Sequence, residues 1–460
     1  MANVAPHIFR EYDIRGLAEE ELTPATVELI GRALGTRLVR KGVKTATVGG
    51  DVRLSTERIR RNLIDGLTAT GLDVIDIGKA TTPLFYWSLY HFEAGGGVMI
   101  TGSHNPKEFN GLKLADGKAT LFGEQIQEIL QTIVDDHFVT SEEPGTVTTV
   151  DISDAYIAML LSKLKLKRPL KVVADAGNGT AALMIEEFLQ GLGCEVIPLF
   201  CEPDGTFPNH HPDPTKRENL QDLIAAVLRE GADVGIGFDG DSDRIGVVDD
   251  RGRVIFGDTL MALYWREILP DHPGTPCIVE VKSSQALVEE IERMGGQVIF
   301  YKSGHSPIKA KMREVDALFT GEVSGHMFFA DEFYGFDDAF YAAGRLLRLL
   351  AREERKLSEI LDTIPSYPST AETRIDCPDA IKFDVIDAIR EGALKDHEAI
   401  TVDGVRILYG DGWGLVRASN TQPVIVARCE GQDEEALKRI EKDMKERILA
   451  AGVADFDWEY

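Results

Sequence analysis

Ser103 is the residue of this sequence best placed to act as a nucleophile. It follows the apolar run 98–100, which predicts a buried strand, and it precedes Pro106, which prevents regular structure from following directly. In parallel α/β sheets ligands bind where the strands end, so a hydroxyl at this point is well placed for group transfer. The stretch equally fits a turn serine that caps a following helix. Taken alone, it does not decide between the two interpretations.

Three carboxylates follow a second apolar run, residues 234–238, at the alternate positions Asp239, Asp241 and Asp243. Carboxylates this close repel one another, and a divalent cation removes that cost. The loop lacks the downstream glycine and closing glutamate of an EF-hand, and three carboxylates leave room for a phosphate oxygen, which favours Mg²⁺. A solvated acidic turn is the alternative. The preceding strand and the following Arg244 favour a metal site.

Two further polar loops have side chains suited to a sugar phosphate. Glu322, Ser324 and His326 alternate along the chain, which predicts a polar face for sugar hydroxyls. Residues 417–423 combine a guanidinium, two hydroxyls and two amides, which are typical of a phosphate-binding loop because arginine offers a bidentate fork. Lone histidines are more often structural, and polar turn residues are common without a ligand. These two loops therefore indicate a sugar-phosphate site only when they are considered together with the Ser103 and carboxylate loops.

The elements that must position these loops form a repeated unit of strand, helix, glycine and strand. The predicted ranges of its three copies are 46–51, 59–67 and 71–77; 171–175, 183–192 and 193–199; and 277–281, 287–294 and 295–300. Each copy is followed by its own polar loop, at Ser103, Asp239 and Glu322. The repeat predicts three related mixed α/β domains. The last segment, with short strands, glycine turns and an amphipathic helix from about 434 to 451, predicts a smaller C-terminal α+β domain.

Turn-rich segments at 141–145, 249–252 and 365–368 divide the chain into four predicted domains. Their ranges are 1–149 with the Ser103 loop, 150–252 with the carboxylate loop, 253–365 with the loop at 322–326, and 366–460 with the loop at 417–421.

Composition excludes several classes of partner. The chain has 460 residues, 43% of them hydrophobic and 27% charged, which is typical of a globular protein with several cores. The net charge of −26 argues against a nucleic-acid or anionic-membrane partner, which would need a basic surface. Five cysteines without a Cys-x-x-Cys pair indicate reduced thiols and no structural zinc. No signal peptide or bilayer-spanning segment is evident, and we expect a cytoplasmic protein.

Four motifs together resemble those of the α-D-phosphohexomutase superfamily, in the family's order and across essentially the whole chain. They are Thr101-Gly-Ser-His-Asn-Pro106, Asp239-Gly-Asp-Ser-Asp-Arg244, Gly321-Glu-Val-Ser-Gly-His326 and Arg417-Ala-Ser-Asn-Thr421. Residues 9–16 and 201–214 resemble the bacterial phosphomannomutase/phosphoglucomutase branch in particular.

The resemblance implies a four-domain enzyme with a central cleft, in which Ser103 carries a phosphoryl group and contributes, through it, to one Mg²⁺ held by Asp239, Asp241 and Asp243. The residues expected around the transferring phosphoryl group are Arg15, His104, Lys113, Arg244 and His326. The residues expected to bind the sugar are Tyr12, Lys282, His305, Glu322, Ser324 and His326. The residues expected to bind its non-reacting phosphate are Arg417, Ser419, Asn420 and Thr421. Arg15 is expected in a turn that ends at Gly16.

The implied reaction is reversible transfer of a phosphoryl group between O1 and O6 of mannose or glucose phosphate, through a hexose 1,6-bisphosphate that also serves as activator. The partners are then small hexose phosphates, and a monomer is expected. Lys113 and His326 are both candidates for the base. Ser242 stands where the family commonly has glycine, and Val323 where dual-specificity members often have methionine and phosphoglucosamine mutases glutamine. Phosphoglucosamine mutase, a Mg²⁺-dependent sugar phosphatase with a phosphoserine, and a non-enzymatic sugar-phosphate sensor are the alternatives.

Overall fold

A computed structural model describes residues 4–419 and 422–460, so the predicted ligands Asn420 and Thr421 lie outside the described residues. The chain forms two compact units. The first contains Met1–Gly257 and Ser324–Ile360, and the second contains Asp258–Val323 and Leu361–Tyr460. Each unit is therefore built from two separate stretches of the chain.

The first sheet of the first unit has strand order β1-β5-β4-β2-β3-β7, with β6 paired to β5. Its strands are β1 (Ile14–Leu17), β2 (Thr45–Gly50), β3 (Asp73–Lys79), β4 (Gly96–Ile100), β5 (Phe109–Asp116), β6 (Ala119–Thr120) and β7 (Val147–Thr149). The central strands β2, β3 and β4 run parallel, whereas β5 runs antiparallel to both β1 and β4. All five residues of β4 are buried, as its apolar run predicts.

The helical elements around this sheet are a 3₁₀ turn at Pro6–Ile8, α1 (Pro24–Arg40), α2 (Thr56–Thr68), α3 (Thr82–His91) and α4 (Glu124–Val134), and they are followed by α5 (Ser153–Lys163), which contacts α3. The Thr23 hydroxyl caps α1 by accepting a hydrogen bond from the Thr26 amide, and Pro24 occupies the first turn. Helices α1 and α2 pack closely because Gly66 lies against the Glu28 carbonyl, where a Cβ atom would come within 2.2 Å.

The second sheet repeats this plan. Its strand order is β12-β11-β10-β8-β9, for β8 (Lys171–Asp175), β9 (Glu195–Leu199), β10 (Val234–Phe238), β11 (Ile245–Asp249) and β12 (Val254–Ile255). Strand β8 is parallel to β9 and β10, and β11 is antiparallel to β10. The helical elements are α6 (Ile185–Gly191), α7 (Gln221–Glu230) and 3₁₀ turns at Thr180–Leu183 and Arg217–Leu220. The Ser103 and Asp239 loops therefore follow equivalent strands, β4 and β10.

The third copy of the repeat lies in the second unit. It comprises α8 (Gly257–Ile268), β13 (Pro276–Glu280), α9 (Gln285–Arg293), β14 (Gln297–Tyr301), α10 (His305–Val315) and β15 (Phe319–Gly321). Strands β13 and β14 are parallel, and the Thr320 hydroxyl donates to the Ile278 carbonyl at 2.8 Å, which places β15 beside β13. The glycine of each repeat, Gly71, Gly193 and Gly295, has a φ of +84°, +86° and +80°. The three helices thus end in the same left-handed turn, which favours glycine.

The chain then returns to the first unit with β16 (Met327–Phe329), α11 (Ala339–Arg352) and α12 (Leu357–Leu361). The remaining elements of the second unit are β17 (Thr373–Asp376), α13 (Lys382–Ala393), β18 (Glu398–Ile400), β19 (Val405–Leu408), β20 (Gly412–Ala418), β21 (Val424–Gly431) and α14 (Glu434–Ala450). The five strands form an antiparallel sheet of order β17-β21-β20-β19-β18. The predicted fold class, three mixed α/β domains and a smaller α+β domain, is confirmed. None of the helices in the described parts of the chain has both the length and the apolar character needed to cross a bilayer.

Two local expectations were wrong. Arg15 does not lie in a turn that ends at Gly16, because Ile14–Leu17 is a strand in which Arg15 pairs opposite Gly111. Ser103 does not cap a helix, because the element after its turn is the strand Phe109–Asp116.

Candidate active site

Ser103 lies in a buried turn between β4 and β5, and its hydroxyl points at the carboxylate loop. Its backbone has a φ of +47°, a left-handed conformation that is uncommon for serine, and the residue is only 3% exposed. The Oγ atom donates to Asp239 Oδ2 at 2.8 Å and lies 3.1 Å from His104 Nδ1. Gly240 permits this approach, since a Cβ atom there would lie 2.4 Å from the Ser103 carbonyl oxygen. The predicted nucleophile and the first predicted metal ligand are therefore in direct contact.

The three aspartates form a buried cluster with one lysine. Asp239, Asp241 and Asp243 are fully buried, and each offers an oxygen within 4.8 Å of the others'. Lys113 extends from β5, where it pairs opposite Met99, and its Nζ lies 3.0 Å from Asp241 Oδ2 and contacts Asp243 Oδ2. The lysine thus neutralises part of the cluster's charge.

The pKa values of this cluster reflect burial and mutual charge. Burial and the charges of Asp241 and Asp243 raise the pKa of Asp239 well above its usual range. Burial alone would raise the pKa of Asp241, but the Lys113 ammonium and the Thr82 hydroxyl, which donates at 2.6 Å, lower it. Burial would lower the pKa of Lys113, but the carboxylates raise it well above its usual range. Lys113 is therefore a cation in this site.

The cluster has the donor set of a site for a hard divalent cation. Asp241 Oδ1 and Asp243 Oδ1 are buried and accept no hydrogen bond in the structure. An unsatisfied buried carboxylate oxygen is costly, and a bound cation would satisfy both atoms. The carboxylates thus fit a metal ion.

Further cations surround the serine loop. Arg15 Nη1 donates to Asn105 Oδ1 at 2.8 Å, its Nη2 pairs with Asp13, and its buried Nε has no hydrogen-bond partner. Burial and the charges of Arg244 and Arg15 lower the pKa of the half-buried His104 well below its usual range. These positive groups are suited to a phosphoryl group on or near Ser103.

His326 joins this group from the segment that returns to the first unit. Arg244 Nε donates to His326 Nε2 at 3.0 Å, and His326 Nδ1 lies 3.2 Å from Asp337 Oδ2 and 3.5 Å from Asp243 Oδ1. Because Nε2 accepts a hydrogen bond, a neutral imidazole must carry its proton on Nδ1, which lies beside the carboxylates. The lone pair of His326 is therefore on Nε2.

In the second unit, Lys282 is held between two carboxylates. Its Nζ lies 2.9 Å from Glu372 Oε2 and 3.2 Å from Glu280 Oε1. Burial would lower the pKa of Lys282, but these carboxylates raise it, and Lys282 in turn lowers the pKa of Glu372 to about 2. Glu322 accepts a hydrogen bond at 2.8 Å from the amide of Gly304, directly before His305 begins α10.

Arg417 lies at the end of β20, and Ser419 follows that strand directly. Arg417 Nε donates to Asp403 Oδ2 at 2.8 Å, and the same oxygen accepts from the Ser303 amide at 3.1 Å. Lys382 supports the loop by donating to the Ser419 carbonyl at 2.6 Å. Asp403 and Lys382 thus hold the predicted phosphate-binding residues Arg417 and Ser419.

The structure does not place Glu322, Ser324 and His326 on one strand face. Residues 322–325 form a turn, with Gly325 at φ +93°, so alternation along the chain does not set the direction of the side chains. Glu322 belongs to the second unit, and Ser324 and His326 belong to the first. Ser324 and Tyr12 are half-buried.

Comparison with known proteins identifies the family. Models of the phosphoglucomutase/phosphomannomutase alpha/beta/alpha domains I, II and III match residues 6–139, 154–252 and 256–367, and the model of the C-terminal domain matches residues 372–447. The chain belongs to the phosphoglucomutase/phosphomannomutase family. Members of this family are metal-dependent phosphohexomutases, isomerases that move a phosphoryl group between positions of a hexose phosphate.

Relatives are similar over almost the whole chain. A phosphomannomutase/phosphoglucomutase of Pseudomonas putida is 43% identical over 455 residues, 98% of each chain, and a phosphoglucomutase of Neisseria gonorrhoeae is 44% identical over 450 residues, 97% of each chain. A phosphoglucomutase/phosphomannomutase family protein of Burkholderia thailandensis has a solved structure that covers 99% of this chain and all of its own, with 39% identity and a TM-score of 0.93.

Several residues that shape the site gave no signal in the sequence. Thr82 begins α3 and bonds both the carboxylate and the carbonyl of Asp241, although nothing in its own stretch indicates a partner 159 residues away. Asp337 faces His326, and Arg53 holds the serine turn. Arg53 follows β2, but neither its burial nor its contact with the serine turn could be read from the sequence.

Proposed function

We propose that this chain is a phosphohexomutase that transfers a phosphoryl group between O1 and O6 of mannose and glucose phosphates by way of Ser103. The observation that carries the proposal is the 2.8 Å hydrogen bond from Ser103 Oγ to Asp239, inside a buried cluster of three carboxylates and a lysine. Phosphoryl transfer needs little more than a positioned acceptor and compensation of developing charge.

Asp239, Asp241 and Asp243 would hold one Mg²⁺, which supplies charge compensation for the phosphoryl oxygens when bound. Lys113, Arg15 and Arg244 bring further positive charge to the same phosphoryl group. The two carboxylate oxygens without hydrogen-bond partners support this assignment.

In the forward step, the sugar hydroxyl oxygen forms a bond to the phosphorus on Ser103, and the bond from phosphorus to Oγ breaks. The product is a hexose 1,6-bisphosphate, which returns its other phosphoryl group to Ser103 and also serves as activator. Lys113 is occupied as a charged donor to two carboxylates, so we assign the hydroxyl proton to His326. Its Nε2 lone pair accepts from Arg244 Nε at 3.0 Å, and this hydrogen bond must break before Nε2 can take the proton.

We assign recognition of the remainder of the substrate to the predicted residues of the other loops. Tyr12, Lys282, His305, Glu322, Ser324 and His326 would bind the sugar, and Arg417, Ser419, Asn420 and Thr421 its second phosphate. Because Val323 does not match the residue that dual-specificity members often have, the order of preference between mannose and glucose is decided by the assay. We further propose four domains with boundaries at 149, 252 and 365, and a monomer. We also propose a cytoplasmic location, which the five free cysteines support.

The test combines intact mass with a coupled assay. Wild-type protein should carry one phosphate and convert mannose 1-phosphate and glucose 1-phosphate faster than glucosamine 1-phosphate. Ser103→Ala should lose both phosphate and activity, whereas Ser88→Ala, which removes a buried hydroxyl bonded to Thr47 and Phe85, should retain both. Full activity of Ser103→Ala with added bisphosphate, or hydrolysis without isomerisation, would refute the proposal.

A further inference from the structure

We infer that Arg53 is a positioning residue that fixes the reactive conformation of the Ser103 turn. Its guanidinium donates to four backbone carbonyls of that turn. Nη2 bonds the oxygens of Ser103 at 2.8 Å and Asn105 at 2.6 Å, and Nη1 bonds those of Pro106 at 2.7 Å and Phe109 at 2.9 Å. One side chain thus donates to three carbonyls of this irregular turn and to that of Phe109, the first residue of β5, and the Pro106 carbonyl also accepts from the Phe109 amide at 3.0 Å.

Asp51 orients Arg53 and also holds the start of the turn. Its Oδ2 lies 3.2 Å from Arg53 Nε and accepts from the Gly102 amide at 3.0 Å, while its Oδ1 accepts from the Arg53 amide at 3.0 Å. A Cβ atom on Gly102 would lie 2.5 Å from the Arg53 guanidinium carbon, so the glycine is what admits the arginine.

The geometry distinguishes Arg53 from a phosphate ligand. Arg53 is 3% exposed, its two terminal nitrogens donate to four backbone carbonyls, its Nε lies 3.2 Å from Asp51 Oδ2, and the Phe207 ring covers the guanidinium at 5.2 Å. Arg53 therefore acts through the backbone of the turn and not on the substrate.

The planar fork of arginine is essential to this role. Two terminal nitrogens bond two carbonyls each, and lysine, with three donors on a single atom, cannot span four carbonyls in this arrangement. These four hydrogen bonds hold Ser103 at a left-handed φ of +47°, the backbone conformation in which its Oγ donates to Asp239. A displaced hydroxyl slows transfer because the reacting atoms no longer start in line.

The inference rests on the proposed function, since its readout is phosphoryl transfer to Ser103. The experiment uses dephosphorylated full-length enzyme and measures the rate at which glucose 1,6-bisphosphate phosphorylates Ser103, together with kcat and KM. Arg53→Lys should lower the transfer rate and kcat by roughly 10- to 100-fold while KM changes little. Arg53→Ala should be partly restored by free guanidinium, in a saturable manner, and not by sodium chloride.

Arg58→Lys is the matched control, because Arg58 also donates to two backbone carbonyls, Leu22 at 2.8 Å and Ala18 at 2.6 Å, outside the site. It should keep wild-type transfer. If Arg53→Ala does not fold, Arg53→Lys decides the matter. Transfer by Arg53→Lys within about twofold of wild type, or an equal loss in Arg58→Lys, would overturn the inference. Wild-type enzyme that never phosphorylates Ser103 would instead overturn the proposed function.

Discussion

Replacing Lys113 with methionine should destabilise the metal-free first unit by about 3–5 kcal/mol, the cost of removing one partner from a buried ion pair. Methionine nearly matches the lysine stem in volume, so the loss comes from charge and not from a cavity. Asp241 and Asp243 would both lose the ammonium that lies against them, and their Oδ1 atoms already accept no hydrogen bond.

The loss should depend on metal and on pH. Mg²⁺ should reduce the difference between variant and wild type, because the cation replaces the missing positive charge. Lys113 lowers the folded-state pKa of Asp241, so its contribution to the free energy of unfolding is present above the unfolded carboxyl pKa of about 4 and is lost as the pH falls further. The difference should therefore be full at neutral pH and shrink in acid.

Native-state hydrogen exchange in EDTA provides the assay, because the amides of β4 and β10 report the opening free energy of this unit alone. The control is Lys107→Met, which removes an exposed lysine of the same segment and should change stability by less than about 0.5 kcal/mol. The reasoning fails if the two variants exchange at the same rate in EDTA, or if Mg²⁺ leaves their difference unchanged.

Three other outcomes are expected. Asp241→Asn should raise the Mg²⁺ concentration needed for half-maximal activity by at least about tenfold, because even the loss of a residue that only supports a metal ligand typically weakens metal affinity by that factor. An unchanged Mg²⁺ titration would mean that the loop has a structural role and does not bind the metal. Glu372→Gln should destabilise the second unit at neutral pH, and its gap to wild type should close as the pH falls from about 4.3 toward about 2, because Lys282 stabilises only the carboxylate; a gap independent of pH in acid unfolding would contradict this. Arg417→Ala should raise KM for both monophosphates roughly 10- to 100-fold by removing charge-assisted hydrogen bonds of about 1.5–3 kcal/mol, while phosphate on Ser103 by intact mass is unchanged; unaltered KM would exclude Arg417 from substrate binding.

The strands and the loops that follow them could be predicted because their signals are local. Short apolar runs marked β4, β8 and β10 to within a few residues, and the glycine of each repeat marked a left-handed helix end. The carboxylate cluster was predictable for the same reason, since its three aspartates lie within five residues.

The backbone conformations and long-range hydrogen bonds that position the site residues could not be predicted from local signals. Ser103 and Ser242 have φ values of +47° and +65°, although left-handed backbone is normally a sign of glycine. Ser242 is held by a 2.8 Å hydrogen bond between its hydroxyl and that of Thr180, a partner 62 residues away. The contact between Arg53 and Ser103, which lie 50 residues apart, could not be predicted either, because periodicity and spacing report only neighbours along the chain.

The interrupted course of the first unit has a consequence for how the protein is made. The stretch that ends at Gly257 leaves the ribosome long before Ser324–Ile360, which supplies His326, Asp337 and α11. During translation the nascent chain therefore carries the Ser103 turn and the aspartate loop without the histidine that completes them. Because domains fold in the order of synthesis, this incomplete body must wait while the intervening residues emerge. The first unit is thus completed late, and a chain truncated before residue 324 would lack His326 and Asp337, which lie beside Asp243 and Arg244 in the full protein.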